Sequence, residues 1–282
     1  MRIETAALIE KRGQEVRELP KEKNHRSKKN RRRYKKPMSS VVQKLFDTCK
    51  EVFADGGAGV VPPEKDVERI KLVLESMSPS DVGLNQDMPF FKTLETEGAP
   101  PITYLHLYEC DKFSMGIFCL PPRAVIPLHN HPGMTVFSKI LFGSMHIRSF
   151  DWADIPQNTN QKLNPTYFQP AGVRLAESKK NTVFTAPCDT SILYPAAGGN
   201  MHRFTAITAC AVLDVVGPPY SDSEGRQCMY YQEFPYTSFS GDASFAPVDN
   251  EKEGYAWLEE KDKPDNFFVV GAPYGGPKIT TQ

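Results

Sequence analysis

The sequence predicts an all-β core with two helices packed on its outside. Prolines are frequent (24 of 282 residues), and 11% of the residues are aromatic. From about residue 100, apolar and polar residues alternate with a period of two in short runs that are separated by Pro, Gly and Asn turns. Such runs, spaced at roughly ten residues, are typical of a sandwich or a closed barrel rather than a helical bundle.

Residues 1–37 form a basic arm that we expect to be disordered. Residues 1–36 carry 14 Lys and Arg against 5 Asp and Glu, a net charge of +9, so the remainder carries −9 in a chain that is neutral as a whole. Such a segment has too few apolar residues to form a core. Its basic run, residues 26–36, is compatible with a nuclear-import signal, a solubilising tail or a nucleic-acid patch. We rank import first, do not expect nucleic-acid binding, and expect the protein in the nucleus and cytoplasm.

Two amphipathic helices are predicted between about residues 39 and 77. Ser39 and Ser40 are candidate N-caps for the first helix, and Gly56-Gly57 should stop it. Pro62-Pro63 open the second. Apolar residues recur at helical spacing in both, at Val42, Leu45, Phe46, Cys49 and Phe53 and then at Val67, Ile70, Val73, Leu74 and Met77.

The strands of the barrel are predicted over about residues 100–275, within a single domain that spans 38–282. The predicted strands are 104–108, 113–120, 135–142, 144–150, 181–186, 201–209 and 211–216, and the segments 255–258 and 267–270 are expected to return to the sheet. An insert, about 152–180, is polar and hairpin-prone.

Composition also excludes several classes of protein. No apolar run approaches the roughly 18 residues that a membrane-spanning helix needs. The N-terminus is charged and has no apolar signal core, so we expect no secretion. The six cysteines form no C-x-x-C pair, and we expect reduced thiols. We expect a monomer, because the acidic body shows no exposed apolar helix.

Three histidines form the pattern that carries chemistry. His129 and His131 are separated by one residue, and side chains at i and i+2 of a strand point the same way, so both imidazoles can reach one ion. His202 follows a glycine turn and begins a later strand. An H-x-H pair, a run that ends in Gly143 and a later G-x-x-H resemble the two motifs of the cupins, which form double-stranded β-barrels of the jelly-roll type. The resemblance covers about residues 100–220.

The ligand set departs from the usual cupin motif. Many cupins have a glutamate four or five residues after the second histidine, where this chain has Thr135 and Val136. The predicted site therefore has three neutral ligands and up to three open positions. Such a site keeps the full +2 charge of the metal and suits a substrate that provides an anion, such as a thiolate.

Longer segments resemble one family, the plant cysteine oxidases, over nearly everything after residue 37. The resemblance is carried by Pro-Leu-His-Asn-His-Pro-Gly-Met (127–134), Lys-Ile-Leu-Phe-Gly-Ser (139–144), Ser-Phe-Asp-Trp (149–152) and Leu-Asp-Val-Val-Gly-Pro-Pro-Tyr (213–220). It implies an Fe(II) enzyme that uses O₂ to convert the N-terminal cysteine of proteins, such as ethylene-response transcription factors, to cysteine sulfinic acid. The resemblance further implies that the modified proteins are degraded, so that oxygen sets their lifetime. It also implies roles near the metal for Asp214 and Tyr220.

Other interpretations stay open at this point. The chain is also compatible with a non-catalytic metal-binding cupin, with a zinc enzyme, because three histidines with an open position describe catalytic zinc as well, or with a dioxygenase of small thiols such as cysteamine. Asp214 is also compatible with a structural role at the 217–219 turn, and Tyr220 with that of an edge aromatic. Arg123 and Arg148 are near the motif in sequence and are candidates to bind the carboxylate of free cysteine. His106 and His146 lack ligand spacing, and we interpret them as ordinary strand residues.

Overall fold

The computed structural model describes residues 39–92, 99–153, 172–238 and 254–281. The predicted basic arm lies outside the described residues, as does most of the predicted insert. The helices are α1 (Val41–Val52) and α2 (Glu64–Glu75), with short 3₁₀ turns at Pro79–Val82, Pro89–Phe91, Asp222–Glu224 and Tyr236–Ser238. The strands are β1 (Ile102–Glu109), β2 (Ser114–Leu120), β3 (Val125–His129), β4 (Thr135–Phe142), β5 (Ser144–Trp152), β6 (Val173–Thr185), β7 (Ser191–Leu193), β8 (Met201–Ala206), β9 (Cys210–Gly217), β10 (Tyr230–Pro235), β11 (Tyr255–Lys261) and β12 (Val269–Ala272).

Both helices form where the sequence predicts them. The Ser40 hydroxyl caps α1 by accepting a hydrogen bond from the Gln43 backbone N–H at 3.1 Å. Pro63 precedes the first turn of α2. The apolar stripes of the helices share one buried cluster with the first sheet, whose members include Leu45, Phe46, Ile70, Leu74, Ile117, Phe137 and Leu213. The prediction that the helices pack on the outside of the barrel is therefore confirmed.

The strands form two sheets of six strands each. The first has the order β12-β1-β2-β9-β4-β7, and the second, β10-β11-β6-β5-β8-β3, closes on itself because β10 also pairs with β3. Neighbouring strands are antiparallel except β1 and β12. Side chains of both sheets meet in one apolar cluster that includes Ile140, Val212, Ile147 and Phe204. The double-stranded β-barrel of the cupin type is thus confirmed.

Alternation along β9 separates the two faces of the first sheet. Ala211, Leu213 and Val215 pack toward the helices, whereas Cys210 and Val212 pack in the barrel interior. Asp214 has the parity of the second set and therefore faces the interior. This single carboxylate inside an apolar strand is one of the residues that the sequence indicates for the site.

The prediction of a polar hairpin over residues 152–180 is wrong at both of its ends. Trp152 belongs to β5, and β6 begins at Val173, eight residues before the predicted strand. The early half of β6 pairs with β5 and β11. Between Val173 and Lys180, only Val173 and Ala176 are buried. Most positions of this stretch are polar or charged, so its sequence does not show the alternation of apolar and polar residues that predicts a strand. The short strands β7 and β10 were also not predicted.

None of the helices in the described part of the chain is long and apolar enough to span a membrane. All six cysteines lie in described residues and are free thiols, in agreement with the prediction of reduced thiols.

Candidate metal centre

His129 and His202 lie opposite each other on neighbouring strands. His129 is the last residue of β3 and pairs with His202 on β8, whereas Ile126 pairs with Phe204. Three steps along β3 therefore match two steps along β8, which is a β-bulge. Directly paired residues of antiparallel strands point to the same face, so the bulge directs both Ile126 and His129 into the barrel interior.

His131 lies just beyond the end of β3, in the segment that leads into the turn at Pro132-Gly133. Its imidazole nevertheless converges with that of His129, as the H-x-H spacing predicts. Nε2 of His131 is 3.1 Å from Nε2 of His202, and the three imidazole centroids lie 4.8 to 4.9 Å apart. All three rings are buried, and their candidate ligand atoms lie within 4.8 Å of one another. The three histidines that the sequence singles out therefore form one compact cluster.

The second ring nitrogens of two of these histidines have partners that fix the tautomer. Nδ1 of His129 donates to the Pro127 carbonyl at 2.8 Å. The Tyr220 hydroxyl donates to the Asn130 carbonyl at 2.7 Å, so its oxygen accepts the Nδ1–H of His131 at 2.9 Å. In both rings Nε2 then carries the lone pair, as a metal ligand requires.

The site holds its imidazoles neutral. Burial lowers the pKa of His129 to about 4, and it lowers the pKa of His131 and His202 well below the ordinary value, with further lowering by the neighbouring imidazoles. Protons therefore do not compete for these nitrogens at neutral pH. Within the described ranges the cluster contains no carboxylate or thiol. Three buried, neutral and converging imidazoles fit a divalent transition-metal ion.

Asn200 and Asp151 join the two ligand-bearing segments. The Asn200 amide accepts a hydrogen bond from His131 N–H at 3.1 Å and donates to the carbonyls of His131 at 2.9 Å and Tyr194 at 2.8 Å. The Asp151 carboxylate accepts from the backbone N–H groups of Gly199 and Asn200 at 2.8 to 3.1 Å. The network is buried, and it ties His131 to the turn that leads into His202. Neither residue is among the site residues that the sequence predicts.

Asp214 lies on the facing sheet and projects into the interior. Burial raises the pKa of its carboxyl to about 7, against the opposite effect of a hydrogen bond with the Ser138 side chain. Its Oδ1 has no hydrogen-bond partner in the described part of the protein. The carboxylate makes no hydrogen bond to the 217–219 turn in these ranges, so a capping role has no support here. An unpartnered buried oxygen is suited to accept a donor from a ligand.

Tyr220 and Cys228 line the side of the site near His131. Burial raises the pKa of the Tyr220 hydroxyl well above its ordinary value, and the nearby Cys228 raises it further. The Cys228 thiol also hydrogen-bonds Tyr230, whose ring lies 6.3 Å from that of His129. Tyr220 is therefore a buried, neutral hydroxyl that is hydrogen-bonded to His131.

The other candidates lie away from the cluster. His106 is exposed, and His146 is bonded to Asn181 at 3.0 Å. Arg123 is exposed. Arg148 pairs with Arg203, and the next residue, Ser149, pairs with His202. Because successive residues of a strand point to opposite faces, Arg148 points away from the face that carries His202. Its guanidinium binds Glu233 at 2.8 Å.

Comparisons with known proteins identify the family. The family model PCO_ADO matches residues 73–279. The chain is 54% identical over 263 residues to Plant cysteine oxidase 2 of Arabidopsis thaliana, which covers 93% of this chain and 91% of that protein. It is 28% identical over 268 residues to 2-aminoethanethiol dioxygenase of Homo sapiens, with 86% and 97% covered.

Among solved structures, an RmlC-like cupin protein from Desulfovibrio desulfuricans covers 46% of this chain and 98% of that chain at 14% identity. The TM-score between the two structures is 0.27. The segment matched by the family model contains the three histidines together with Asp214 and Tyr220. By the extent of that match and by its similarity to these relatives, the chain belongs to the PCO_ADO family.

Proposed function

We propose that this protein is an Fe(II)-dependent dioxygenase that uses O₂ to convert the N-terminal cysteine of protein substrates to cysteine sulfinic acid. The observation that carries the proposal is the buried site of three neutral histidines without a carboxylate. Three neutral ligands leave the +2 charge uncompensated, which favours a substrate thiolate. The two relatives are named for cysteine and 2-aminoethanethiol, and both compounds combine a thiol with an amine, as an N-terminal cysteine does.

The histidines would hold the Fe(II), which supplies the redox chemistry that makes O₂ reactive toward a thiol. The chain's own groups orient the ligands and the substrate. Pro127 and Tyr220 fix the tautomers of His129 and His131. The unpartnered Oδ1 of Asp214 is the acceptor for the substrate's protonated α-amine. In the overall reaction one thiol and one O₂ give one sulfinic acid, with both oxygen atoms on sulfur.

A peptide substrate is favoured over free cysteine by the placement of the two candidate arginines. Free cysteine has a carboxylate that a dedicated site pairs with arginine. Arg148 points away from the histidines and is bound to Glu233, and Arg123 is exposed. Neither is available for a carboxylate at the cluster. In a peptide this carboxylate is replaced by a neutral amide, which needs no cation.

The test is mass spectrometry of a peptide that begins Cys-Gly-Gly, incubated with iron-loaded protein under ¹⁸O₂. We expect two labelled oxygens on the N-terminal cysteine, and none with His202→Ala or with the peptide acetylated at its α-amine. His146→Ala is the matched control, because this histidine lies on a neighbouring strand outside the cluster. Labelling by the His202→Ala variant would refute the assignment of the site.

The remaining outcomes separate the alternatives. Labelling of cysteamine but not of the peptide would identify an oxidase of small thiols. No labelling of any thiol by protein with confirmed iron would leave a non-catalytic cupin, and retention of zinc alone with hydrolytic activity would leave a zinc enzyme. Asp214→Asn is expected to keep its iron and to raise the KM for the peptide, because it removes the negative charge that faces the amine. Unchanged KM and kcat would refute the role of Asp214.

In the cell, we propose that ethylene-response transcription factors with an N-terminal cysteine are substrates, and that sulfinic acid formation marks them for degradation through an N-degron. Their lifetime would then report oxygen. We further propose nuclear and cytoplasmic localisation, with import through the basic run 26–36, and action as a monomer. Deletion of 26–36 should lower the nuclear fraction of a fluorescent fusion, and an unchanged fraction would refute import.

A further inference from the structure

A polar layer crosses the barrel at the level of the metal centre. In the second sheet, strand pairing places Lys180, Ser149, His202, His129 and Tyr230 in one row across β6, β5, β8, β3 and β10. In the first sheet, the corresponding row is Ser191, Ser138, Asp214 and Gly116 across β7, β4, β9 and β2. Directly paired residues share a face, so both rows project into the interior.

The rows meet at the end of the layer that lies beyond His202. There the Lys180 ammonium donates to the Ser191 hydroxyl at 2.6 Å. A cavity of about 10 Å³ lies between the sheets and is lined by Ser138, Ser149, Lys180, Ser191 and His202. This volume is that of a site for one water molecule. The cavity is too small for a substrate, and neither Asp214 nor Tyr220 lines it.

Two groups at this cavity have unused hydrogen-bonding capacity. Ser149 is only 2% exposed, and its Oγ has no hydrogen-bond partner in the described part of the chain. Nε2 of His202 points toward the other imidazoles, which leaves Nδ1 as the second ring nitrogen. His129 and His131 have protein acceptors at this position, and His202 has none among the described residues.

We propose that the cavity binds one ordered water molecule, which is the missing acceptor for the Nδ1–H of His202. The water accepts one hydrogen bond from His202 and one from the Lys180 ammonium, and it donates to the hydroxyl oxygens of Ser149 and Ser138. All four of its hydrogen bonds are then made. Ser138 also contacts the Asp214 carboxylate, so the water connects His202 with the facing sheet. Ser149 and Lys180 are thereby positioning residues that act through His202.

The electrostatics of this corner support a water rather than a cation. Lys180 is desolvated, with a pKa lowered by burial, and it lies next to a site that is itself suited to a divalent cation. A neutral acceptor between the two positive groups satisfies the donors of both. The remaining lining is apolar or glycine, including Phe204, Leu193 and Gly199, so the site has no spare carboxylate for a second metal.

The inference depends on the proposed metal centre but not on the substrate, so it is tested by metal binding and crystallography alone. The metal-free full chain is titrated with Co(II), and wild type is compared with Ser149→Val, which fills the cavity. We expect a loss of Co(II) affinity of roughly tenfold or more, the usual effect of removing a partner of a metal-bound histidine. Thr190→Val is the control, because its buried hydroxyl also lacks a partner but lies outside the cavity.

A high-resolution crystal structure tests the water directly. We expect an isolated density peak within about 3.2 Å of both Ser149 Oγ and His202 Nδ1 in the wild type, and no such peak in Ser149→Val. Should the valine variant not fold, Ser149→Ala removes the acceptor without adding volume and should weaken Co(II) binding less. A wild-type structure without the peak, or a folded Ser149→Val variant that binds Co(II) as tightly as wild type, would overturn the proposal.

Discussion

The Asn200 side chain connects the two metal-binding segments, and its truncation tests how much the centre depends on that connection. Asn200→Ala removes the bonds to His131 N–H and C=O, at 3.1 and 2.9 Å, and the bond to Tyr194 C=O at 2.8 Å. Each neutral hydrogen bond contributes about 1 kcal/mol net, so we expect the free energy of unfolding to fall by about 3 kcal/mol. Water that enters to solvate the freed groups would reduce this loss.

Metal affinity is the second and more specific measurement. The hydrogen bonds of the Asn200 side chain go to backbone groups rather than to an imidazole, and they fix the backbone of His131 relative to the turn before His202. Loss of such a support typically costs 10- to 100-fold in metal affinity. The assay is a Co(II) titration of the metal-free protein in the absence of urea. Urea unfolding is measured separately to show that the variant is folded.

Gln43 provides the matched control for this experiment. Like Asn200, its side-chain amide binds both backbone groups of one distant residue, since it donates to Thr280 C=O at 3.0 Å and accepts from Thr280 N–H at 2.7 Å. These bonds are exposed, and Gln43 lies on α1. Gln43→Ala should lower stability slightly and leave Co(II) affinity unchanged. Equal Co(II) affinity in folded Asn200→Ala and wild type would refute the argument, since the network would then contribute to stability alone.

Three further predictions concern the same centre. Tyr220→Phe removes the acceptor of the His131 Nδ1–H and should weaken Co(II) binding roughly 10- to 100-fold in a titration, whereas Tyr231→Phe, which loses only a bond to the Asn130 side chain, should not. Gly199→Ala should destabilise the protein in urea unfolding, because φ is +88° and an added Cβ would lie 2.3 Å from Ser149 Oγ; an unchanged midpoint would contradict this. The metal-free protein should lose stability as the pH falls from about 6.5 to about 4, because unfolded His129 binds a proton in this window and the folded residue, with its pKa near 4, does not. The His129 contribution is about 3 kcal/mol, and a His129→Ala variant with the same pH slope of stability would contradict it; Asp214, whose pKa is raised to about 7, acts in the opposite direction and is present in both proteins.

The histidine cluster was predictable because its signal is local. The H-x-H spacing and the glycine turn before His202 are visible in the sequence without any knowledge of pairing. The mechanism of convergence was not visible, because it depends on the bulge between Ile126 and His129. Nothing in the stretch Val-Ile-Pro-Leu-His specifies which residue of the neighbouring strand it opposes. Register is set by the packing of the whole sheet, so the cluster could be predicted but its geometry could not.

The supporting network was missed for a different reason. Asp151 and Asn200 resemble ordinary turn and strand-end residues, since Asp and Asn are common there. A partial signal existed, because Asp151 directly follows Phe150 at the end of a predicted strand, and a buried carboxylate needs donors. Its donors, the N–H groups of Gly199 and Asn200, are 48 and 49 residues away. Only the fold brings them together.

The two sheets contribute different groups to the metal centre. His129, His202 and the bulge belong to the second sheet, and the bonds that orient His131 come from Asn200 and Tyr220. The facing sheet contributes no ligand, and its one interior carboxylate, Asp214, retains an unpartnered oxygen. A partnered carboxylate at the position of Val136 would complete the ligand set and reduce the positive charge of the site. Because the chain has an apolar residue there, the proposed function requires the substrate to supply negative charge at the metal, and it assigns the unpartnered oxygen of Asp214 to the substrate's amine.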